Sequence, residues 1–223
     1  MKFYSVHFNR PDFIAIQKYC VESIGGILVV IDNNPTDSSI KSECTKLGVA
    51  YFGVPDRLGA EYAPSRSHGR ALNYTREIID YSDDWCILDH DFFPIKKIEF
   101  EDYDILTIEE IRESVTYCWP GYIAGKSKIS LAGIDFMPDV NGAGDTGFGT
   151  YKLIECNLYK IKYVSQKPID DIPDGHQIQT SPTVMEVGGY GIHYLNGSSW
   201  MNTLPGVIDK KNEYIINILK SRK

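Results

Sequence analysis

Two carboxylates one residue apart, Asp89 and Asp91, close an apolar run in the stretch WCILDHDFFP, Trp85 to Pro94. Trp85, Cys86, Ile87 and Leu88 predict a short buried strand, because four consecutive apolar residues ahead of a Pro-terminated loop suit a strand better than a helix. In open α/β sheets ligands bind at the carboxyl ends of strands, so acids placed there are positioned for chemistry. Alternate residues of an extended chain share a face, which lets both carboxylates address one divalent cation directly or through water. The competing reading is a solvated strand end with turn-forming Asp residues.

Other chemistry-bearing residues lie on both sides of this pair. Arg57, Arg66, His68 and Arg70 fall in a segment that predicts a long polar loop followed by a helix from about Arg70 to Tyr81. Arginine offers a fork of donors that fits phosphate, while the alternative is a solvated loop whose arginines pair with nearby acids; Asn73 suits either. Trp119-Pro120-Gly121, with Tyr117 and Tyr122, makes an aromatic, turn-rich segment suited to sugar faces or to plain core. Gly142, Gly144, Gly147 and Gly149 surround Asp145-Thr146, an approach that leaves a carboxylate accessible as a general base. Asp145 serves equally as the N-cap of a helix carrying Leu153, Ile154, Leu158 and Ile161 on one face. His193 ends a short predicted strand, with Gly197 and Trp200 after it, and His7, His68 and His176 compete with it for any role.

The elements that must position these residues alternate along the chain. Phe3 to Phe8 predicts a first strand, Asn9-Arg10-Pro11 a loop, and Asp12 the cap of a helix over 13–23 that stops at Gly25-Gly26. Ile27 to Ile31 is apolar throughout and predicts a central parallel strand buried on both faces, ending in Asp32, Asn33 and Asn34. A helix starting at Pro35-Thr36-Asp37 and ending near Gly48 leads to a third strand, Val49 to Val54. That rhythm predicts a doubly wound, mostly parallel sheet. Glu99 to Glu113 is expected to be a solvated edge, and Asp209 to Lys223 an amphipathic packing helix.

Composition narrows the function classes. A chain of 223 residues with 43% hydrophobic content suits one α/β domain, and the net charge of −7 argues against nonspecific binding to nucleic acid or an anionic membrane. Five cysteines without a CxxC pair suit reduced thiols in a cytoplasmic setting, and no structural zinc site is expected. The amino-terminal MKFYSVHFNRPDF has no apolar signal core and no run is long enough to span a membrane, so a soluble protein is expected.

The order of these segments resembles the GT-A fold of nucleotide-sugar-dependent glycosyltransferases, an αβα sandwich with a mostly parallel central sheet, and especially the small family-2-like enzymes. VVIDNNPTD resembles the nucleotide-binding segment of that fold, with Asp32 at the position that contacts base or ribose. SHGRALNYT resembles the segment preceding the metal motif, and Asp89-His90-Asp91 fits the DXD motif itself. Asp145 in GDTG stands where inverting members carry a catalytic Asp, with Gly144 in the place of the usual Glu, and HYLNGSSW resembles the pattern that supplies a late metal-binding histidine. The resemblance covers most of residues 2–200 and implies one domain over 1–223, with a nucleotide-binding half at 1–113 and an acceptor half at 114–223.

The site implied by the resemblance has Asp89, Asp91 and His193 as ligands of Mn²⁺ or Mg²⁺ and Asp145 as catalytic base. Asn9, Asp32, Arg66, His68, Arg70, Asn73 and His90 fall on the nucleotide side, His90 as a spacer whose side chain points away from the metal. Trp119, Pro120, Gly121, Asp145 and Thr146 fall on the sugar and acceptor side. The implied reaction moves a sugar from a nucleoside-diphosphate sugar, UDP favoured, to a hydroxyl acceptor such as a glycan. Two alternatives stand beside it: a noncatalytic nucleotide-sugar-binding module and a sugar-phosphate nucleotidyltransferase, which would need a glycine-rich loop where this chain has FNRPDF.

Overall fold

The structure, a computed structural model, describes residues 1–55, 64–112, 114–138, 145–169 and 184–194, and near the carboxyl end 213, 216, 217 and 219–221. The amino-terminal part runs β1 (Lys2–His7), α1 (Asp12–Ser23), β2 (Ile27–Asp32), α2 (Ser39–Leu47), β3 (Ala50–Gly53), α3 (Pro64–Ile78), β4 (Trp85–Asp89) and β5 (Phe92–Pro94). The remainder runs β6 (Ile105–Arg112), β7 (Val115–Gly125), a 3₁₀ turn (Phe148–Thr150), α4 (Tyr151–Glu155), β8 (Ile161–Val164), β9 (Gln166–Pro168), β10 (Val184–Val187) and β11 (Gly191–Tyr194).

A seven-stranded sheet in the order β3-β2-β1-β4-β7-β6-β8 forms the centre. β3, β2, β1 and β4 are parallel neighbours, β7 runs antiparallel to β4 and β6, and β8 pairs parallel with β6. The alternation of side chains along each strand divides the core into two layers. Phe3, Leu28, Val30, Cys86 and Leu88 pack with Ile14 and Val21 of α1 and Ile40 and Cys44 of α2. Tyr4, Val6, Val29, Ile31, Trp85 and Ile87 pack with Ala71 and Leu72 of α3 and Leu153 of α4. The mixed α/β fold with a mostly parallel central sheet is therefore as expected, although β2 lies one strand from the edge.

A second, antiparallel sheet in the order β5-β11-β10-β9 adjoins the first. The chain passes from one sheet to the other through the three residues between Leu88 and Phe92, so the paired acids form the corner. Behind the corner, Phe13, Phe93, Val184, Ile192, Tyr194 and Leu219 make a smaller apolar cluster. Of the expected carboxyl-terminal helix, the described residues from 213 to 221 are helical.

Several local expectations are corrected. Asp12 is the first helical residue of α1 and not its N-cap, a position held by Pro11, and its carboxylate lies 2.7 Å from Arg10. α3 begins at Pro64, so Arg66, His68 and Arg70 lie on a helix; proline is tolerated in a first turn, and Ala71, Leu72 and Thr75 supply the buried face. The segment 99–113 is no solvated edge in its strand part: Ile105, Leu106, Thr107 and Ile108 are buried between β7 and β8, and exposure returns only from Glu109. TYCWPGYIAG lies within the long strand β7 and not in a turn. The helix after Asp145 stops at Glu155; Leu158 is 76% exposed and Ile161 belongs to β8, so the apparent helical stripe combined three environments.

Candidate functional site

The site begins with the corner that carries Asp89, His90 and Asp91. His90 N–H donates to the Val6 carbonyl at 3.1 Å, and Tyr194 N–H donates to the Asp91 carbonyl at 2.8 Å, tying the corner to both sheets. The side chains of Asp89 and Asp91 are 18% and 9% exposed. His68 Nε2 of α3 lies 2.8 Å from Asp89 Oδ1, and His193 Nε2 of β11 lies 3.7 Å from Asp91 Oδ1. His193 owes its place to the second sheet, where it pairs in register with Phe92. His90 turns inward, its ring 5.9 Å from that of His7 and 6.0 Å from that of Phe13, and its Nε2 has no hydrogen-bond partner among the described residues.

β7 brings the aromatic residues to this corner through an irregularity in its pairing. Thr107 is opposite Ile123 but Glu109 is opposite Cys118, so Trp119, Pro120, Gly121 and Tyr122 face Ile108 alone and bulge outward. Thr107 Oγ1 lies 3.4 Å from the Trp119 carbonyl and 3.0 Å from the Tyr122 carbonyl, bracketing the bulge. A Cβ on Gly121 would overlap the Trp119 ring and sit 2.7 Å from Asp89 Oδ2, so only glycine lets the backbone pass this close to the carboxylate. The Trp119 and His193 rings lie 4.6 Å apart, and Phe92 stacks on Tyr122 at 4.3 Å.

Asp145 and Thr146 border the same region. Thr146 Oγ1 donates to the Ser65 carbonyl at 2.8 Å in the first turn of α3, and a Cβ on Gly147 would meet Pro120 Cγ at 2.5 Å. Gly147 also has φ of +86°, a second reason for glycine. Asp145 Oδ1 accepts from Thr146 N–H at 2.7 Å, and its Oδ2 lies 3.1 Å from Arg112 Nη2 at the end of β6. Arg112 was not singled out by sequence, since it sits in an acidic run with no motif around it.

The residues expected on the nucleotide side are distributed less tightly. Asp32, adjacent to His7 across the parallel ladder, is fully buried; Oδ1 accepts from Asn34 N–H at 2.8 Å and Oδ2 from Tyr51 O–H at 3.0 Å. Asn9, at φ of +53°, accepts from Asn34 Nδ2 at 2.8 Å, and Ser67 Oγ donates to Asn33 at 3.1 Å, joining α3 to the end of β2. Arg66 is exposed and Arg70 donates to the Pro55 carbonyl. Asn73 is engaged elsewhere: it donates to Asp135 Oδ1 at 2.8 Å and accepts from Phe136 N–H at 3.0 Å, pinning the segment after β7. The structure thus brings His68, Asp89, Asp91, Trp119, Pro120, Gly121, Thr146 and His193 together, with Asn73 and Arg70 apart from them. Arg57, Gly142, Gly144, His176, Gly197 and Trp200 lie outside the described residues.

Electrostatics follow from burial and from the two acid–histidine contacts. Burial opposes charge on His68, yet Asp89, with Asp91 and Asp145 beyond it, raises its pKa above the ordinary imidazole value. Burial likewise opposes charge on Asp89, but His68 and the more distant His90 and His193 hold its pKa below the usual carboxylate value. Burial dominates at His193, whose pKa is lowered despite Asp91 and Asp89, and at His90, lowered to about 4. Burial also raises the Asp32 pKa, against the two hydrogen bonds it accepts.

Among the described residues no group of three or more His, Cys, Asp or Glu side chains encloses a metal site. The donor chemistry at the corner nonetheless suits a hard cation that takes further oxygen ligands from a diphosphate, since such ions are held by one or two carboxylates plus phosphate and water. Asp89 Oδ1 is buried, with His68 Nε2 at 2.8 Å. No described helix is long and apolar enough to cross a membrane.

No family model and no curated protein matches the sequence. Similar solved structures include glycosyltransferases. One is glucosyl-3-phosphoglycerate synthase from Mycobacterium tuberculosis in complex with Mn²⁺ and UDP-glucose, at 12% identity and a TM-score of 0.47, covering 86% of this chain and 85% of that one. Another is the galactosyltransferase LgtC in complex with donor and acceptor sugar analogues, at 11% identity and a TM-score of 0.39 over 57% of this chain, which spans 58% of LgtC. A nucleoside-diphosphate-sugar pyrophosphorylase from Vibrio cholerae RC9 is also similar, at 12% identity and a TM-score of 0.38, covering 73% of this chain and 91% of that one.

Proposed function

We propose that this chain transfers a sugar from a nucleoside-diphosphate sugar, UDP favoured, to a hydroxyl acceptor such as a glycan. The observation that carries the reading is the pair Asp89 and Asp91 at the carboxyl end of the middle strand of the seven-stranded sheet, each with a histidine ring nitrogen within 4 Å. Departure of a nucleoside diphosphate leaves negative charge that water stabilises poorly inside a cleft. Asp89 and Asp91 would hold Mn²⁺ or Mg²⁺, with His193 adjacent, and that ion would neutralise the diphosphate, an effect worth several kcal/mol in the transition state.

The chain's own residues supply the remainder. His68, whose readiness to take a proton Asp89 increases, would add a donor on the diphosphate side. The Trp119 ring and the Pro120-Gly121 bulge form the wall on which a sugar face would pack. Asp145 would accept the proton of the attacking hydroxyl, its Oδ2 oriented by Arg112. The ends of β1 and β2, with Asn9, Asp32 and Asn33, are the natural seat of the nucleoside, since they adjoin the acids on the same edge of the parallel sheet.

The test is to incubate the protein with a panel of nucleotide sugars and Mn²⁺ or Mg²⁺ and follow release of the free nucleoside diphosphate. Release that Asp89→Asn abolishes, and that Asp145→Asn slows without weakening donor binding, supports the reading. Metal-dependent nucleotide binding with no turnover of any donor would assign the chain as a noncatalytic binding module.

A further inference from the structure

The helix α1 carries a polar residue where its buried stripe calls for an apolar one. Phe13, Ile14, Gln17, Cys20 and Val21 are its buried positions, at the spacing of a single helical face, and Gln17 is fully inaccessible. Burying a primary amide is costly unless all of its polar atoms are paired, and here they are. Gln17 Oε1 accepts from Ser5 Oγ at 2.7 Å and from His7 Nε2 at 2.8 Å, while Nε2 donates to the Asp89 carbonyl at 2.9 Å and the Phe92 carbonyl at 2.8 Å. The two carbonyls fix which end of the amide is nitrogen, and the nitrogen of His7 facing Oε1 must then carry its proton.

Those carbonyls are the last of β4 and the first of β5, bracketing His90 and Asp91. With His90 N–H on Val6 and the Asp91 carbonyl on Tyr194, the backbone of the corner is held at each residue from Asp89 to Phe92. Gln17 is the only one of these anchors supplied by a side chain, and it alone grips both ends of the corner. We propose that Gln17 is a positioning residue, whose amide sets the separation and direction of the Asp89 and Asp91 carboxylates through the carbonyls of Asp89 and Phe92. The proposal rests on those carboxylates being the diphosphate-facing pair.

Three variants test it. Gln17→Met keeps the volume and removes every hydrogen bond; Gln17→Glu keeps an acceptor for Ser5 and His7 but turns an anion toward the two carbonyls; Val21→Ala weakens the same helix face and leaves the hydrogen bonds of the corner in place. Nucleoside diphosphate release is measured at a temperature where circular dichroism shows all three folded. Both Gln17 variants are expected to lose kcat and kcat/KM together by about a hundredfold, the scale of misplacing a reacting group by about 1 Å. Val21→Ala is expected to keep the parental kcat. Parental kcat in Gln17→Met, or an equal loss in Val21→Ala, overturns the proposal. Should the parent protein turn over no nucleotide sugar, the functional reading fails, and amide hydrogen exchange decides Gln17 separately: faster exchange at His90 and Tyr194 in Gln17→Met but not in Val21→Ala supports it, and unchanged exchange overturns it.

Discussion

Replacing Gly121 with alanine probes the tightest approach in the site. The added methyl would lie 2.7 Å from Asp89 Oδ2 and inside the Trp119 ring, whereas comfortable carbon contacts fall at about 3.5–4.0 Å. The nearest Trp119 ring carbon would be 2.2 Å away, so relief requires more than about 1 Å of movement by the ring or the bulge and a smaller shift of the carboxylate, at an overpacking cost of about 1–3 kcal/mol. Trp119 cannot yield freely, because its ring lies 4.6 Å from that of His193, and Thr107 brackets the bulge from behind. For a domain of this size such a cost corresponds to a fall in Tm of about 2–4 °C per kcal/mol, and displacing Asp89 by about 1 Å should reduce turnover by about a hundredfold. Thermal unfolding and nucleotide-sugar turnover of Gly121→Ala measure the two consequences. A variant with parental Tm and parental turnover would refute the close-approach argument.

Three further outcomes follow from the same contacts. Thr107→Val removes the hydroxyl that brackets Trp119 to Tyr122 and should cost about 1 kcal/mol in urea unfolding, with weaker donor turnover; an unchanged midpoint would show that the bulge is held by packing alone. Asp32→Ala leaves the Tyr51 hydroxyl and the Asn34 amide without their acceptor and should cost about 1–3 kcal/mol for each, whereas Asp32→Asn, which keeps an oxygen, should cost less; equal losses would contradict the hydrogen-bond assignment. Burial holds His7 at about 3 and His90 at about 4, below the ordinary 6.5, so both stay neutral in the folded chain while the unfolded chain takes up protons. Their contribution is complete above pH 6.5 and is lost as pH falls toward 4, by about 1.4 kcal/mol per pH unit for each. His68, with a raised pKa, has the opposite sign and loses its contribution only as pH rises above 6.5. Urea midpoints should therefore drop between pH 6.5 and 4.5, and drop less in His90→Phe; a flat profile would contradict the buried neutral histidines.

The parallel part of the fold was legible because its strands carry an unmistakable signal. ILVVI and WCIL are short apolar runs ending in polar residues, and a strand buried on both faces reads that way wherever it occurs. The antiparallel part was less legible. β7 contains Trp119-Pro120-Gly121, which signals a turn locally, yet Tyr122 to Gly125 pair with β4 and the residues on both sides of the motif pair with β6, so the strand continues across it and the motif becomes a bulge. At the site, the adjacency of Asp89 and Asp91 was visible from spacing, but their contacts with His68 and His193 depend on an α-helix and on a second sheet that spacing cannot report. Gln17 did leave a trace, a glutamine in an otherwise apolar helical stripe, whereas Arg112 left none.

Binding of a nucleoside diphosphate and a divalent cation at the corner between the two sheets can be measured apart from turnover. Thermal unfolding with UDP, UDP-sugars and Mn²⁺, separately and together, tests it most directly, because a ligand that binds only the folded chain adds about 2.7 kcal/mol of stability at a hundred times its Kd. Nucleotide and Mn²⁺ together are expected to raise Tm by more than the sum of their separate effects, and Asp89→Asn is expected to abolish that excess. A Tm unmoved by any nucleotide with or without metal, or an equal rise in Asp89→Asn, would contradict it.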